Sequence, residues 1–463
     1  MKFMRLSFQF IVIGTCLISC FNTSKELKGK TYIGEINSSK RKVSVELIVT
    51  IDWKSASISS SLGLRGMEVS LEKLDDDSLT FTIPTYSVSY HGKFSPNHKT
   101  IEGIWNQGPK SYQLIFELKK ETQDEKTPEL NIDFIETEIT ININPIVHLA
   151  GTLTMPKGEH RHPAIILLGV AGKTDRDQSF GPYRSFKIIA ERLTQSGFAV
   201  LRCDDRGVGG SSGSLYESSY GDLVADALAM VSHLRRMPEI DPTKVGVLGI
   251  SEGAALGGIL AGTSQLDFAV LLSYPAQSGI TTIRQQIHSL SAIYKFTKQQ
   301  EDLLLFDFEE VSKLIMKNND PLVLKSEIKK HLEKSNPETK ALTQYLFIPQ
   351  EIEEAVQLYS GAWYRSQLEY EPTKILSTLN CPVLIMYGDQ DPFVNPDVNI
   401  PILKQDLKIK KNIDLETIDS VNHIFQDAPN GSPLDYIKNN NAFSERALTK
   451  IEAWLIRVVG VND

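Results

Sequence analysis

A surplus of basic residues is missing from this 463-residue chain: 49 Lys and Arg face 57 Asp and Glu, for a formal charge of −8. Nucleic-acid binders release phosphate counterions with clustered cations, so that class of partner is set aside. Cysteine is scarce as well. Cys16 and Cys20 fall in the first twenty residues, and the remaining two, Cys203 and Cys381, sit in apolar, strand-like stretches. Each reads as a small buried hydrophobe rather than a ligand or half of a disulfide. Neither C-x-x-C nor H-E-x-x-H spacing occurs and the nine histidines are scattered, so no metal site is expected. Aromatics amount to 8 %, beside 41 % hydrophobic and 23 % charged residues, a balance that excludes disordered and collagen-like chains. The length allows two or three globular domains.

Long apolar runs are absent except at the N-terminus. There "MKFMRLSFQFIVIGTCLISC" sets Lys2 and Arg5 before an apolar stretch too short and wrongly flanked for a transmembrane helix. Residues 1–19 therefore read as an export signal. The end of that segment, Leu17-Ile18-Ser19-Cys20, resembles the lipobox of bacterial lipoproteins, in which the cysteine is diacylated and becomes the first mature residue. Two acyl chains hold a protein to a membrane stably where one is marginal. The expectation is an exported lipoprotein anchored through Cys20, at the outer membrane; the alternative is a plain secretory signal cut nearby.

Beyond a polar tether, residues 20–30, the segment 31–120 alternates apolar and polar residues in short runs such as "KVSVELIVTID", "SLTFTIPTYSVSY" and "SYQLIFELKK". Period-two alternation broken by turn formers predicts a small antiparallel β domain, a barrel or a sandwich. Trp105 and Tyr112 read as core or cross-strand packing in it. A charged linker, 121–137, contains "KKETQDEKTPEL" in part, and the pattern then changes. From 138 to 463, unbroken apolar runs ("AIILLGV", "FAVLRCD", "KVGVLGI", "FAVLLSYP", "CPVLIMYGD") alternate with helical periodicity. Such runs predict a mostly parallel sheet covered by helices on both faces. The connection between the last two is about a hundred residues of amphipathic helix, far longer than ordinary crossovers. Residues 278–375 are therefore read as a helical cap inserted over the sheet.

G-x-S-x-G occurs twice, at Gly209–Gly213 and at Gly249–Gly253. An unrelated chain of this length shows the string about once in six or seven cases, so context has to choose. Ser251 directly follows the apolar run "VGVLGI" and precedes the small-residue helix start "EGAALGGILAG". A nucleophile elbow needs that strand-to-helix turn, with glycines two residues either side to relieve crowding. Ser211 sits inside the loop "DDRGVGGSSGSLYESS" and reads as part of a turn. A serine hydroxyl needs a base, and the base needs an orienting acid. His423, in "DSVNHIFQD", is the one histidine between the last strand run and the C-terminal helix. Asp391, in "LIMYGDQDPFVNP", lies just beyond a strand; Asp389 competes with it and would otherwise only shape the turn. Asp391 is preferred because Gly388-x-x-Asp391-x-x-Val394 matches the usual acid loop. The order Ser251, Asp391, His423 is that of α/β-hydrolases.

Together, "LLGVAGKTDRDQSF", "FAVLRCDDRGVGGSSG", "VGVLGISEGA", "AWYRSQLEYEPTKIL", "CPVLIMYGDQDPFV" and "NHIFQD" resemble the bacterial α/β-hydrolase esterases grouped with dienelactone hydrolases and serine aminopeptidases. The likeness runs from Glu138 to the C-terminus; the β domain ahead of it matches exported relatives more loosely. It implies hydrolysis of a small-molecule carboxylic ester with Ser251, Asp391 and His423 as the triad and no cofactor. It also implies an oxyanion hole from the backbone N–H groups of Glu252 and Val170. The loop Gly169-Val170-Ala171-Gly172-Lys173-Thr174 departs from the family's G-S-G-P by one extra residue, which puts Val170 in question. Asp175, Arg176, Asp177, Asp205 and Arg206 are expected to brace the loops by ion pairs. Trp363, Tyr364 and Tyr370 either line an acyl pocket or pack within the cap. Two rivals remain: a serine aminopeptidase, with Glu301, Asp302, Glu309 and Glu310 receiving the substrate amine, and an inactive lipoprotein that binds through its β domain.

Overall fold

A computed structural model describes residues 29–38, 41–50, 56–60, 67–74, 77–83, 88–107, 110–118, 134–158, 160–181, 183–263, 265–346, 348–406, 412–436, 438–439 and 441–460. The signal segment and Cys20 lie outside them. The first strand covers Gly29–Ser38, so the polar tether ends two residues earlier than its composition suggested.

Nine antiparallel strands form the N-terminal sheet, from Gly29–Ser38 to Lys110–Leu118. Its two edges are the short strands Met67–Glu68 and Ser70–Leu74, which only Val69 separates in the chain. Two Cα steps span at most about 7 Å, so these edges lie close together and the sheet is rolled up on itself. Alternate side chains fill the interior: Tyr32, Leu47, Ile58, Leu79, Phe81, Tyr90 and Phe116 are buried there. Trp105 belongs to that core, edge-on to Phe81, and faces Tyr112 across the strand pair.

The second sheet has eight strands: β1 (Phe134–Asn142), β2 (His148–Pro156), β3 (His162–Leu168), β4 (Ala199–Cys203), β5 (Ile240–Ile250), β6 (Phe268–Leu272), β7 (Val383–Gly388) and β8 (Ile413–Ile418). Their order is β1-β2-β4-β3-β5-β6-β7-β8, antiparallel at β1, β2 and β4 and parallel from there on. β1 begins at Phe134, so the linker is shorter than read from composition. Its residues are mostly exposed, and an edge strand wetted on both faces carries no apolar alternation.

The central strands are buried on both faces, as their unbroken apolar runs require. On one face lie α1 (Ser185–Gln195) and the C-terminal α12 (Glu445–Val459). On the other lie α2 (Tyr220–Arg235), α3 (Glu252–Ala261) and α11 (Pro396–Asp406). Helix α12 buries Ala447, Leu448, Ile451, Trp454 and Leu455, the stripe its spacing predicts, and Ser444 caps it. This is the α/β-hydrolase architecture.

Between β6 and β7 the chain builds the cap: α4 (Gly279–Ile293), α5 (Lys298–Lys317), α6 (Pro321–Lys334), α7 (Pro337–Thr343), α8 (Ile352–Ser360), α9 (Ala362–Leu368) and α10 (Pro372–Leu376). Its helix starts are locally encoded. Thr297 and Gln300 form a capping box on α5, and Asp320 caps α6 ahead of Pro321. The cap has its own core, in which Phe308, Val311, Ile315 and Ile328 meet Tyr359, Trp363 and Tyr364.

Candidate active site

Ser251 stands where β5 turns into α3. Its N–H still bonds the strand neighbour, to Leu272 O at 2.8 Å, while its backbone swings to φ 58°, ψ −112°. A positive φ is unfavourable for a residue with a Cβ and persists only where the surroundings over-determine it. The flanking glycines make the turn possible by close approach. A Cβ on Gly249 would lie 2.1 Å from Gly253 O, and one on Gly253 would lie 2.1 Å from Leu168 O. Ser251 Oγ makes no hydrogen bond among the described residues, and such contacts often tighten only around substrate.

Asp391 and His423 come together beyond β7 and β8. His423 Nδ1 lies 2.9 Å from Asp391 Oδ1 and 2.8 Å from Oδ2, both side chains being buried. The carboxylate also accepts the N–H groups of Phe393 (2.8 Å) and Val394 (2.9 Å) and the hydroxyl of Ser273 (2.7 Å). Burial alone would raise its pKa, but the neighbouring His423 and these hydrogen bonds outweigh burial and hold it below the ordinary value. Nδ1 thereby faces the acid and Nε2 is left for chemistry. Asp389 is exposed, and its contact is a long one from the Val421 N–H at 3.4 Å, so the structure pairs the histidine with Asp391 alone.

Ser273 escaped the sequence reading. It follows β6 at φ 50°, its N–H bonds Met386 O at 2.8 Å, and its hydroxyl holds Asp391. It thus ties the ends of three neighbouring strands, β5 through Leu272 to β7. A serine directly after a buried apolar run was the signal available for it.

Val170 lies in the loop that follows β3. Its N–H, read as half of an oxyanion hole, donates to Gln178 Oε1 at 3.0 Å. Gln178 is 5 % exposed and its Nε2 has no partner among the described residues. A Cβ on Gly169 would meet Thr174 Oγ1 at 2.8 Å and Gln178 Oε1 at 2.9 Å, so the glycine leaves room for this side chain beside the amide. Glu252, first residue of α3, has no intrahelical acceptor for its own N–H.

Of the five charged residues expected to brace the loops by ion pairs, Arg176, Asp177 and Arg206 do so, while Asp175 and Asp205 hold the loop through hydrogen bonds instead. Arg176 grips Asp204, Arg202 bonds Asp177, and Arg206 grips Asp226 with two 2.7 Å bonds. Asp205 accepts the N–H and hydroxyl of Thr174 at 2.7 and 2.8 Å. Asp175 caps the backbone of Asp177 and Ser179. Trp363, Tyr364 and Tyr370 are buried by packing. The acids suggested for an amine, Glu301, Asp302, Glu309 and Glu310, lie along α5 and pair with Lys298, Arg284 and Lys313. Among the described residues no group of His, Cys, Asp and Glu is arranged to hold a metal ion.

The family model described as serine aminopeptidase, S33, matches residues 182–423, just over half of the chain. Esterase EstD of Thermotoga maritima is 25 % identical over 325 residues, covering 70 % of this chain and 68 % of that protein. Among solved structures, the Pyrococcus furiosus esterase Pf2001 matches with a TM-score of 0.42 and 16 % identity, over 71 % of this chain and 92 % of that one. Est1E of Butyrivibrio proteoclasticus, solved with ferulic acid, matches with a TM-score of 0.41 and 17 % identity, over 69 % and 99 %.

Proposed function

The chain belongs to the serine aminopeptidase S33 family of α/β hydrolases, and we propose that this hydrolase cleaves small-molecule carboxylic esters through Ser251, His423 and Asp391. One observation carries the reading: a serine on a strained elbow at the end of β5 with an unbonded hydroxyl, and a buried Asp–His pair beyond β7 and β8 of the same sheet. The similarity to an esterase supports the choice of ester over peptide. So does the pairing of the α5 acids with lysine and arginine, which leaves them no vacancy for a substrate amine.

In the proposed mechanism, His423 Nε2 takes the Ser251 proton as Oγ attacks the ester carbonyl. Asp391 fixes the imidazole tautomer and stabilises the imidazolium. The Glu252 N–H, at the positive end of α3, donates to the oxyanion, an interaction typically worth about 3 kcal/mol. His423 then returns the proton to the departing alcohol, and water activated by the same base releases the acid from the acyl-enzyme. The reaction needs no cofactor.

We further propose that the protein works as an exported lipoprotein held to a membrane through Cys20. The supporting observation is the signal-like N-terminus with its lipobox. Fractionation of the full chain beside Cys20→Ala tests it: the parent should sediment with membranes and the variant should not.

The catalytic reading is tested with a fluorophosphonate probe and short-chain p-nitrophenyl esters, with aminoacyl anilides as the peptidase control. Stoichiometric labelling with ester turnover and little anilide turnover is expected. Preferential anilide cleavage would move the protein to the aminopeptidases, and a folded chain that takes no label would overturn the nucleophile assignment.

A further inference from the structure

Glu252 was read from sequence only for its backbone, yet its side chain is the acid buried closest to Ser251 in the chain. It is 7 % exposed, and no Lys, Arg or His forms an ion pair with it among the described residues. Taking a carboxylate out of water without a cation is costly. A helix N-terminus favours an acid, but an exposed one would serve that purpose. The burial calls for another explanation.

Its partners belong to the cap and to α2. Gln367 Nε2, on α9, donates to Glu252 Oε1 at 3.1 Å, and the Tyr220 hydroxyl, on α2, lies beside the same carboxyl group. Burial pushes the Glu252 carboxyl up to about 7, and Gln367, Tyr220 and the indole of Trp363, which is 5 % exposed on α9 and has no hydrogen-bond partner among the described residues, only partly offset it. Helix α9 is itself pinned. Tyr220 N–H donates to Ser366 Oγ at 3.1 Å, and Gly279 N–H donates to Tyr370 O at 2.9 Å. A Cβ on Gly279 would come within 1.6 Å of Gln367 O, so the start of the cap lies directly against the end of α9.

We propose that Glu252 is a positioning residue through which the seating of the cap sets the place of the oxyanion amide, a reading that rests on Ser251 being the nucleophile. Side chain and N–H belong to one residue. A carboxylate clamped between α9 and α2 fixes the peptide plane behind it, on an elbow already held at a strained φ. If α9 lifts, the clamp is released and the amide drifts from the developing oxyanion. The effect falls on kcat, because the donor acts most strongly in the transition state.

The test compares Glu252→Ala, Glu252→Gln, Gln367→Ala and the double Glu252→Ala/Gln367→Ala in the full chain, measuring kcat and KM on p-nitrophenyl butyrate beside thermal melting. Glu252→Ala should lower kcat about 30-fold, less than outright loss of an oxyanion donor, with KM nearly unchanged. Glu252→Gln keeps an acceptor oxygen for Gln367 and Tyr220 and should recover to within about threefold of the parent. Gln367→Ala should lower kcat about fivefold, and the double variant should be no worse than Glu252→Ala, since both break one clamp. Parental kcat in Glu252→Ala, losses that multiply in the double, or a Gln367→Ala effect confined to KM would each overturn the proposal. If Glu252→Ala does not fold, Gln367→Ala decides alone by the same kcat criterion. A parent that takes no fluorophosphonate label fails the Ser251 reading and this one with it; a labelled parent with an inert Gln367→Ala fails this one only.

Discussion

Gly209–Gly213 and Gly249–Gly253 share the G-x-S-x-G string, and their serines are almost equally buried, at 8 % exposure for Ser211 and 9 % for Ser251. Burial therefore does not separate them; bonding and backbone do. Ser211 Oγ donates to Asp204 O and accepts from Ala150 N–H, both at 2.8 Å, so its hydroxyl is committed at both ends to the loop. Ser251 Oγ has no such partners. In the loop the positive φ angles fall on glycines, 52° at Gly209 and 91° at Gly213, whereas at the elbow the serine itself bears one, 58°. The same five-letter pattern describes a relaxed turn in one place and a strained, aimed residue in the other. This contrast in backbone and bonding is what favours Ser251 over Ser211 as the proposed nucleophile.

Exchanging each serine for alanine is the sharpest way to break this comparison. Ser251→Ala should lower kcat on p-nitrophenyl esters by about 10⁴- to 10⁶-fold and abolish fluorophosphonate labelling, with the fold intact. Ser211→Ala should keep activity within a few-fold but lower stability by about 1–3 kcal/mol, because it strands a buried N–H and carbonyl. Urea melts and active-site titration read both. Reversed results would exchange the two roles.

A pair of aspartates repeats the contrast on the next loop. In Asp391→Asn the single carbonyl oxygen is claimed by the Phe393 and Val394 N–H groups, which turns the NH2 toward His423 Nδ1 and enforces the wrong tautomer, and kcat should fall about 10⁴-fold. Asp389→Asn changes an exposed side chain with one 3.4 Å contact and should stay within a few-fold of the parent. Equal losses from both would show that the turn, not the carboxylate facing His423, is what matters.

Where the physics is local, the sequence made the outcome readable. Unbroken Val, Ile and Leu runs mark strands buried on two faces, the long amphipathic connection marks the cap, and glycines two residues either side of Ser251 mark the elbow. Boundaries failed where that physics fades: β1 begins four residues early because an edge strand exposed on most of its length carries no apolar period. The site's supporting contacts were illegible for a different reason. Ser273 reaches Asp391 across 118 positions, and Gln367 reaches Glu252 across 115. Nothing in either stretch marks a partner so remote, since only the packed sheet and cap bring them together.

Gln178 offers the finest adjustment of the elbow. Its Oε1 holds the Val170 N–H at 3.0 Å, beside the Gly169 carbonyl that accepts the Gly253 N–H at 2.8 Å, so this loop is docked on the elbow. A neutral hydrogen bond of this kind contributes about 1 kcal/mol net, which sets the scale of any competition between the glutamine oxygen and a developing oxyanion. Gln178→Ala removes the competitor and should raise kcat about two- to fivefold, with a modest loss of stability from the vacated space. A fall in kcat would mean instead that the carboxamide holds the loop in its working shape. Pre-steady-state acylation rates distinguish the two, because a freed donor speeds acylation while a loosened loop slows it.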